Sequence, residues 1–163
     1  MQFLKNLLKK VYEIFDMNIL VINGPNLNLL GIREPHIYGS DTLGELMAWV
    51  ENSQQGRNHN FKFYQSNSEG EIINILHDER LWAQGIIMNP GAYGHYSYAI
   101  FDAIKAIEIP TVEVHISDTE NRESFRKNMV ISPACIATII GKGKNSYIQG
   151  VSTLNNQHTK INL

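Results

Sequence analysis

The chain has 163 residues, with 14 Lys plus Arg against 16 Asp plus Glu and a formal net charge of -2. This length fits one compact domain with a sizeable core, and the near-balance of charge excludes the one-sided basic face of a nucleic-acid-binding protein. The one cysteine, Cys135, has no partner for an internal disulfide, and its apolar setting (134–137, ACIA) reads as a small buried hydrophobe in a reducing, cytoplasmic compartment. No His/Cys cluster has zinc-ligand spacing.

Residues 1–16 (MQFLKNLLKKVYEIFD) gather Phe3, Leu4, Leu7, Leu8, Val11, Tyr12 and Phe15 on one helical face. The segment is too short and too charged to span a bilayer, and it lacks the apolar core and small-residue cleavage site of a signal peptide. Three readings stay open. It is a helix packed on the domain or on a neighbouring subunit, a membrane-surface helix, or sequence translated ahead of a start at Met17. We read it as a packed or peripheral helix that takes no part in chemistry, with 17–163 as a single domain.

Five short runs are rich in β-branched residues: 18–23 (NILVIN), 61–66 (FKFYQS), 85–89 (GIIMN), 111–116 (TVEVHI) and 136–141 (IATIIG). The first, third and fifth are almost continuously apolar, as strands buried on both faces should be. Helical spacing predicts helices over 43–55, 69–80, 97–107 and 146–154. Thr42 with Glu45, and Ser68 with Glu71, have the form of capping boxes at the first two. Strands alternating with helices predict a parallel sheet covered on both faces, a flavodoxin-like three-layer α/β sandwich with strand order 2-1-3-4-5. Ligands in such folds sit at the carboxyl ends of the strands. Those ends carry Asn23 to Asn26, Asn67, Asn89 to Gly91, His115 to Ser117 and Gly141 to Gly143. Amides, glycines and one histidine suit a polar, hydroxyl-bearing ligand.

The connection after the first strand, 24–39 (GPNLNLLGIREPHIYG), is far longer than the usual βα loop. Such a loop at the binding edge is a lid or substrate loop more often than a spacer. It has no Ser or Thr to hold a flavin phosphate. The places where a phosphoryl-receiver domain needs acidic residues hold Asn23 and Asn89. Taken alone, Tyr38 is an aromatic that pins a loop, and Glu113 with His115 is a polar pair on one face of a strand end.

Four segments in order, GPNLNLLGIREPHIYG, QSNSEGEII, NPGAYGHYS and EVHISDTENRESFR, resemble the successive motifs of the type II 3-dehydroquinate dehydratase family. The resemblance runs from Met17 to the final helix. It implies a cofactor-free hydro-lyase of the shikimate pathway or of quinate breakdown. Such an enzyme removes water from 3-dehydroquinate through an enolate, with neither metal nor Schiff base. Tyr38 matches the base; a phenol is scarcely ionised at neutral pH unless a cation lies near it, and Arg33 matches that cation, with Arg126 as a second contributor. Asn26 matches the residue that holds a water on the enolate oxygen. His115 matches the general acid, and Glu113 the carboxylate that orients it. By the same resemblance, Asn89 would help hold the departing hydroxyl. The backbone N–H groups of Ile116 and Ser117, where the strand turns into a helix start, take the substrate carboxylate. His95 and Arg126 match positions that bind ring hydroxyls, Asp102 matches one that reaches a neighbouring subunit's site in the family's trimer, and Arg122 matches a motif arginine near the site without an assigned role. The family also implies trimers assembling into a homododecamer.

The chain departs from the family pattern at Tyr96, where a small hydroxyl residue is usual, and at Asn128-Met129-Val130. These positions bear on the wall of the site or on a trimer contact. Two other readings are a non-catalytic flavodoxin-like module that binds a polyhydroxy acid, and an interaction scaffold that docks through the amino-terminal helix.

Overall fold

The computed structural model describes residues 1–2, 16–119 and 121–161. The reading of 1–16 as a peripheral helix therefore lies almost wholly outside the described residues. Five strands, β1 (Asn18–Asn23), β2 (Asn60–Gln65), β3 (Gly85–Asn89), β4 (Thr111–His115) and β5 (Ala137–Ile140), form one sheet in the order β2-β1-β3-β4-β5. Every pairing is parallel, as the alternation of strands and helices predicts.

Side chains alternate across each strand, so each strand feeds two separate cores. Ile19, Val21, Ile87, Val112 and Val114 point to one face. There they meet Leu46, Met47 and Val50 of α2 (Leu43–Glu51) and Tyr147, Val151 and Leu154 of α5 (Asn145–Ile161). Leu20, Ile22, Ile86 and Met88 point the other way, onto Ile72 and Leu76 of α3 (Glu69–Glu79) and Ile100 and Ile104 of α4 (Tyr98–Ile107). Burying each of these aliphatic side chains contributes about 1.5–3 kcal/mol before chain entropy is counted.

The structure corrects several local expectations. The strands buried along their whole length are β1 (save Asn18), β3 and β4, not β5. Apolar content predicts burial only if a neighbour exists on each side, and β5 is an edge strand. Helix α2 stops at Glu51 rather than 55, because Asn52 turns its side-chain amide back onto the Ala48 carbonyl (2.7 Å) and Ser53 caps Val50 (2.7 Å). Helix α5 runs on to Ile161 rather than ending at 154; its polar last turns carry no apolar period to read. The Thr42/Glu45 capping box is complete, at 3.2 and 2.8 Å. At α3 only half forms: Ser68 Oγ accepts from the Glu71 N–H, but the Glu71 carboxylate turns to the Ser66 hydroxyl at 2.5 Å.

The long first connection is not irregular throughout. It holds a 3-10 turn at Leu27–Leu29 and a single-turn helix, α1 (Pro35–Tyr38), started by Pro35 at its first position. It passes close to the end of β3 because residue 24 is glycine: a Cβ there would collide with the Pro90 backbone.

Candidate active site

The carboxyl ends of β1, β3 and β4 and the first connection surround a cleft of about 160 Å³, small-molecule in scale. One wall is the loop. Leu27 and Leu30 anchor it in the core. Asn26 adopts the left-handed conformation (φ 67°), an arrangement asparagine tolerates, and its N–H donates to Asn67 Oδ1 at 3.0 Å. Helix α1 ends on Tyr38, half-buried at the cleft. The Arg33 guanidinium carbon lies 5.0 Å from the centre of the Tyr38 ring, while its Nε pairs with Glu34 at 3.3 Å. The phenol oxygen itself receives Arg122 Nη1 at 2.7 Å, and the same nitrogen reaches Ser117 Oγ at 3.3 Å. Arg33 thus meets only the ring face, whereas Arg122, to which the family resemblance assigned no role, also donates to the phenol oxygen. A guanidinium donor aimed there stabilises negative charge on it.

The opposite wall belongs to β4. Glu113 has no solvent exposure and His115 is 5% exposed. His115 Nε2 donates to Glu113 Oε1 at 2.8 Å. The other carboxylate oxygen accepts from Ser132 Oγ at 2.5 Å and from Thr138 Oγ1 at 3.4 Å. The carboxylate therefore fixes the imidazole in one orientation and leaves Nδ1 for the cleft. A 3-10 turn (Gly91–His95) lies directly over this pair. It can do so because residue 94 is glycine: an added Cβ would sit 2.8 Å from the Pro90 ring and 3.1 Å from Glu113 Oε1. The turn brings His95 into the cleft, its ring 5.9 Å from that of His115. His95 Nδ1 bonds the Asn128 carbonyl at 2.8 Å, so that nitrogen carries the proton. Burial holds this imidazole below its ordinary value of 6.5. Neutral His95 then offers Nε2 as an acceptor.

Asn89 ends β3 between the two walls. Its Nδ2 donates to the hydroxyl of Tyr147 at 2.9 Å, and Tyr147 donates to Asn23 Oδ1 at 2.7 Å. Ile116, Ser117 and Arg126 also line the cleft. No helix begins at Ile116: after His115 the chain makes bends, and the next helical turn is Ser124–Lys127. The expected helix dipole is therefore absent there. Arg126 Nε pairs with Glu123 at 2.6 Å, which with Arg122 holds that carboxyl down at about 2.

Asp102 is exposed on α4 and does not line the cleft. Tyr96 points away from it too, 58% exposed and edge-on to Tyr93. The Asn128 departure is harmless to His95, since the contact uses the backbone carbonyl. Cys135 is half-buried, with burial pushing its thiol up to about 12. Among the described residues no three His, Cys, Asp or Glu side chains gather as a metal site would, and no helix is long and apolar enough to cross a membrane. Sequence reasoning missed Tyr147, Ser132 and Thr138. Tyr147 left one trace: it shares a helical face with Val151 and Leu154, and a tyrosine on a buried face needs a partner for its hydroxyl.

Known proteins resemble this chain over most of its length. The model of the family "Dehydroquinase class II" matches residues 17–155. The chain is 59% identical over 133 residues to a 3-dehydroquinate dehydratase of Caldicellulosiruptor saccharolyticus, covering 80% of this chain and 90% of that one. It is 50% identical over 144 residues to one from Clostridium acetobutylicum, covering 88% and 100%. The crystal structure of a type II dehydroquinase from Butyrivibrio crossotus superposes with a TM-score of 0.82 at 45% identity, over 86% of this chain and 98% of that one. With relatives matched over nearly their whole length and a family model spanning the entire sheet, this chain belongs to the class II dehydroquinase family.

Proposed function

We propose that the protein is a 3-dehydroquinate dehydratase acting by anti elimination through an enolate. Tyr38, as phenolate, removes the proton beside the ketone, and the electron pair moves onto the ketone oxygen. Asn26 holds a water against that oxygen. The enolate then collapses, a carbon–carbon double bond forms, and the departing hydroxyl takes a proton from His115 and leaves as water. Arg122 and Arg33 stabilise the phenolate, and Glu113 keeps His115 oriented. Ile116 and Ser117 take the substrate carboxylate; His95, Arg126 and Asn89 hold hydroxyls. The reaction takes in only 3-dehydroquinate and releases one water; it leaves Tyr38 protonated and His115 without its proton, and a proton passed from one to the other through solvent resets both. The observation that carries the reading is the pairing of two opposed proton-handling groups across one cleft, Tyr38 under Arg122 and His115 against Glu113.

In this reading the enzyme works in the cytoplasm as trimers assembled into a dodecamer, and exposed Asp102 serves the neighbouring subunit's site. Mixing the protein with 3-dehydroquinate and following the ultraviolet absorbance of the conjugated enone tests the activity. Rapid product formation that survives borohydride supports it, since no lysine among the described residues lines the cleft to form a Schiff base. Substrate binding without product would instead support a non-catalytic binding module.

A further inference from the structure

We infer that Tyr147 is a positioning residue whose hydroxyl sets which end of the Asn89 amide faces the cleft. This rests on the proposed dehydration for its consequence, but not for its geometry. The argument is one of hydrogen-bond polarity. The Tyr64 carbonyl can only accept, and Asn23 Nδ2 lies 3.3 Å from it. Asn23 must therefore present Oδ1 to Tyr147, at 2.7 Å. That oxygen takes the one proton the Tyr147 hydroxyl has to give. The hydroxyl's lone pairs then require a donor, and Asn89 Nδ2 supplies it at 2.9 Å. Asn89 Oδ1 is left on the side of Gly91, a cleft residue, whose N–H it meets at 3.3 Å. Burial pushes the Tyr147 phenol up, so the hydroxyl keeps its proton and the chain keeps its direction.

The direction matters chemically. An amide oxygen accepts the hydrogen of a substrate hydroxyl and leaves that hydroxyl's lone pair free for the proton of His115. A flipped amide would donate to the same lone pair and compete with the general acid. Tyr147 acts from behind: it is fully buried in α5 and does not line the cleft.

The test is Tyr147→Phe in the full chain, which removes one oxygen and keeps the ring. The expected result is a fall in kcat on the order of tenfold, the loss tied to one hydrogen bond, with little change in KM. In an Asn89→Ala background the same substitution should cost nothing further. Independently of turnover, the Asn89 side-chain amide protons should exchange with solvent faster in Tyr147→Phe, as followed by NMR without substrate. Equal losses in both backgrounds, or unchanged exchange, would overturn the inference and leave the Gly91 N–H as sufficient. Faster exchange in a protein whose wild type never dehydrates 3-dehydroquinate would sink the proposed function and keep the orienting role. If Tyr147→Phe does not fold, Asn23→Leu removes the acceptor that takes the Tyr147 proton and carries the same exchange prediction.

Discussion

The two walls of the cleft are built from different materials. The wall proposed to carry the acid is a strand in the interior of the sheet: Glu113 and His115 are buried, and the carboxylate is satisfied by three side chains from β4, β5 and the turn before β5. The wall proposed to carry the base is a loop with two non-glycine residues in the left-handed region, Asn26 and Glu34, and a single-turn helix. Its tyrosine is half-buried and tied across the cleft by one arginine. A group on a strand is placed more accurately than one on a loop, whereas a loop can admit substrate and release product. In the proposed mechanism, the contrast places the acid on the more rigid support and the base on the one better able to move with substrate.

The largest expected effect is on the base wall. Tyr38→Phe should lower kcat by roughly 10²–10⁴-fold while ligand binding and thermal stability stay near wild type, because only a proton acceptor is removed. Glu113→Ala should behave differently. It leaves His115 without its buried partner and should cost about 3 kcal/mol of stability as well as roughly 10²-fold in kcat. Thermal melts beside steady-state rates separate the two, and a Tyr38→Phe variant that melted as early as Glu113→Ala would erase the distinction.

A smaller effect sharpens the base wall itself. Arg122→Lys loses the donor on the phenol oxygen and should reduce kcat about tenfold, whereas Arg33→Lys, which gives up a ring-face contact, should cost only about threefold. The reverse order would return the leading role to Arg33. The smallest effect lies outside the cleft. His59 is 8% exposed and accepts the Met17 N–H at 3.1 Å; burial depresses it below 6.5, as it does His95. The unfolded chain then binds more protons between the folded value and 6.5, so stability rises with pH across that window. The contribution is present above pH about 6.5 and lost as pH falls through the folded value. Melting temperature should decline modestly on acidification, and less so in His59→Gln.

Much of this organisation was legible in the sequence. The β-branched runs gave the strands, the alternation gave the sheet order, and the strand ends gave Asn89 and His115. The E-x-H spacing placed Glu113 and His115 on one face because a strand repeats every two residues. What stayed hidden depends on pairing across the chain. Arg122 meets Tyr38 from 84 residues away, and Ser132 and Thr138 reach Glu113 from segments whose local pattern gives no sign of it. Tyr147 carries no sign of its polar contacts in the sequence, since periodicity reports the face of a helix and not the polar atom at the end of a ring. Burial of β4 over β5 followed from neighbours in the sheet, not from apolar content.

The central claim, separate base and acid steps through an enolate, is tested most directly by solvent exchange. His115→Ala, held with 3-dehydroquinate in heavy water and observed by proton NMR, should lose the substrate signal beside the ketone as deuterium enters, with little enone formed. Tyr38→Phe should show neither exchange nor product. Exchange that persists in Tyr38→Phe, or is absent from His115→Ala while the ligand still binds, would contradict the assignment of the two walls.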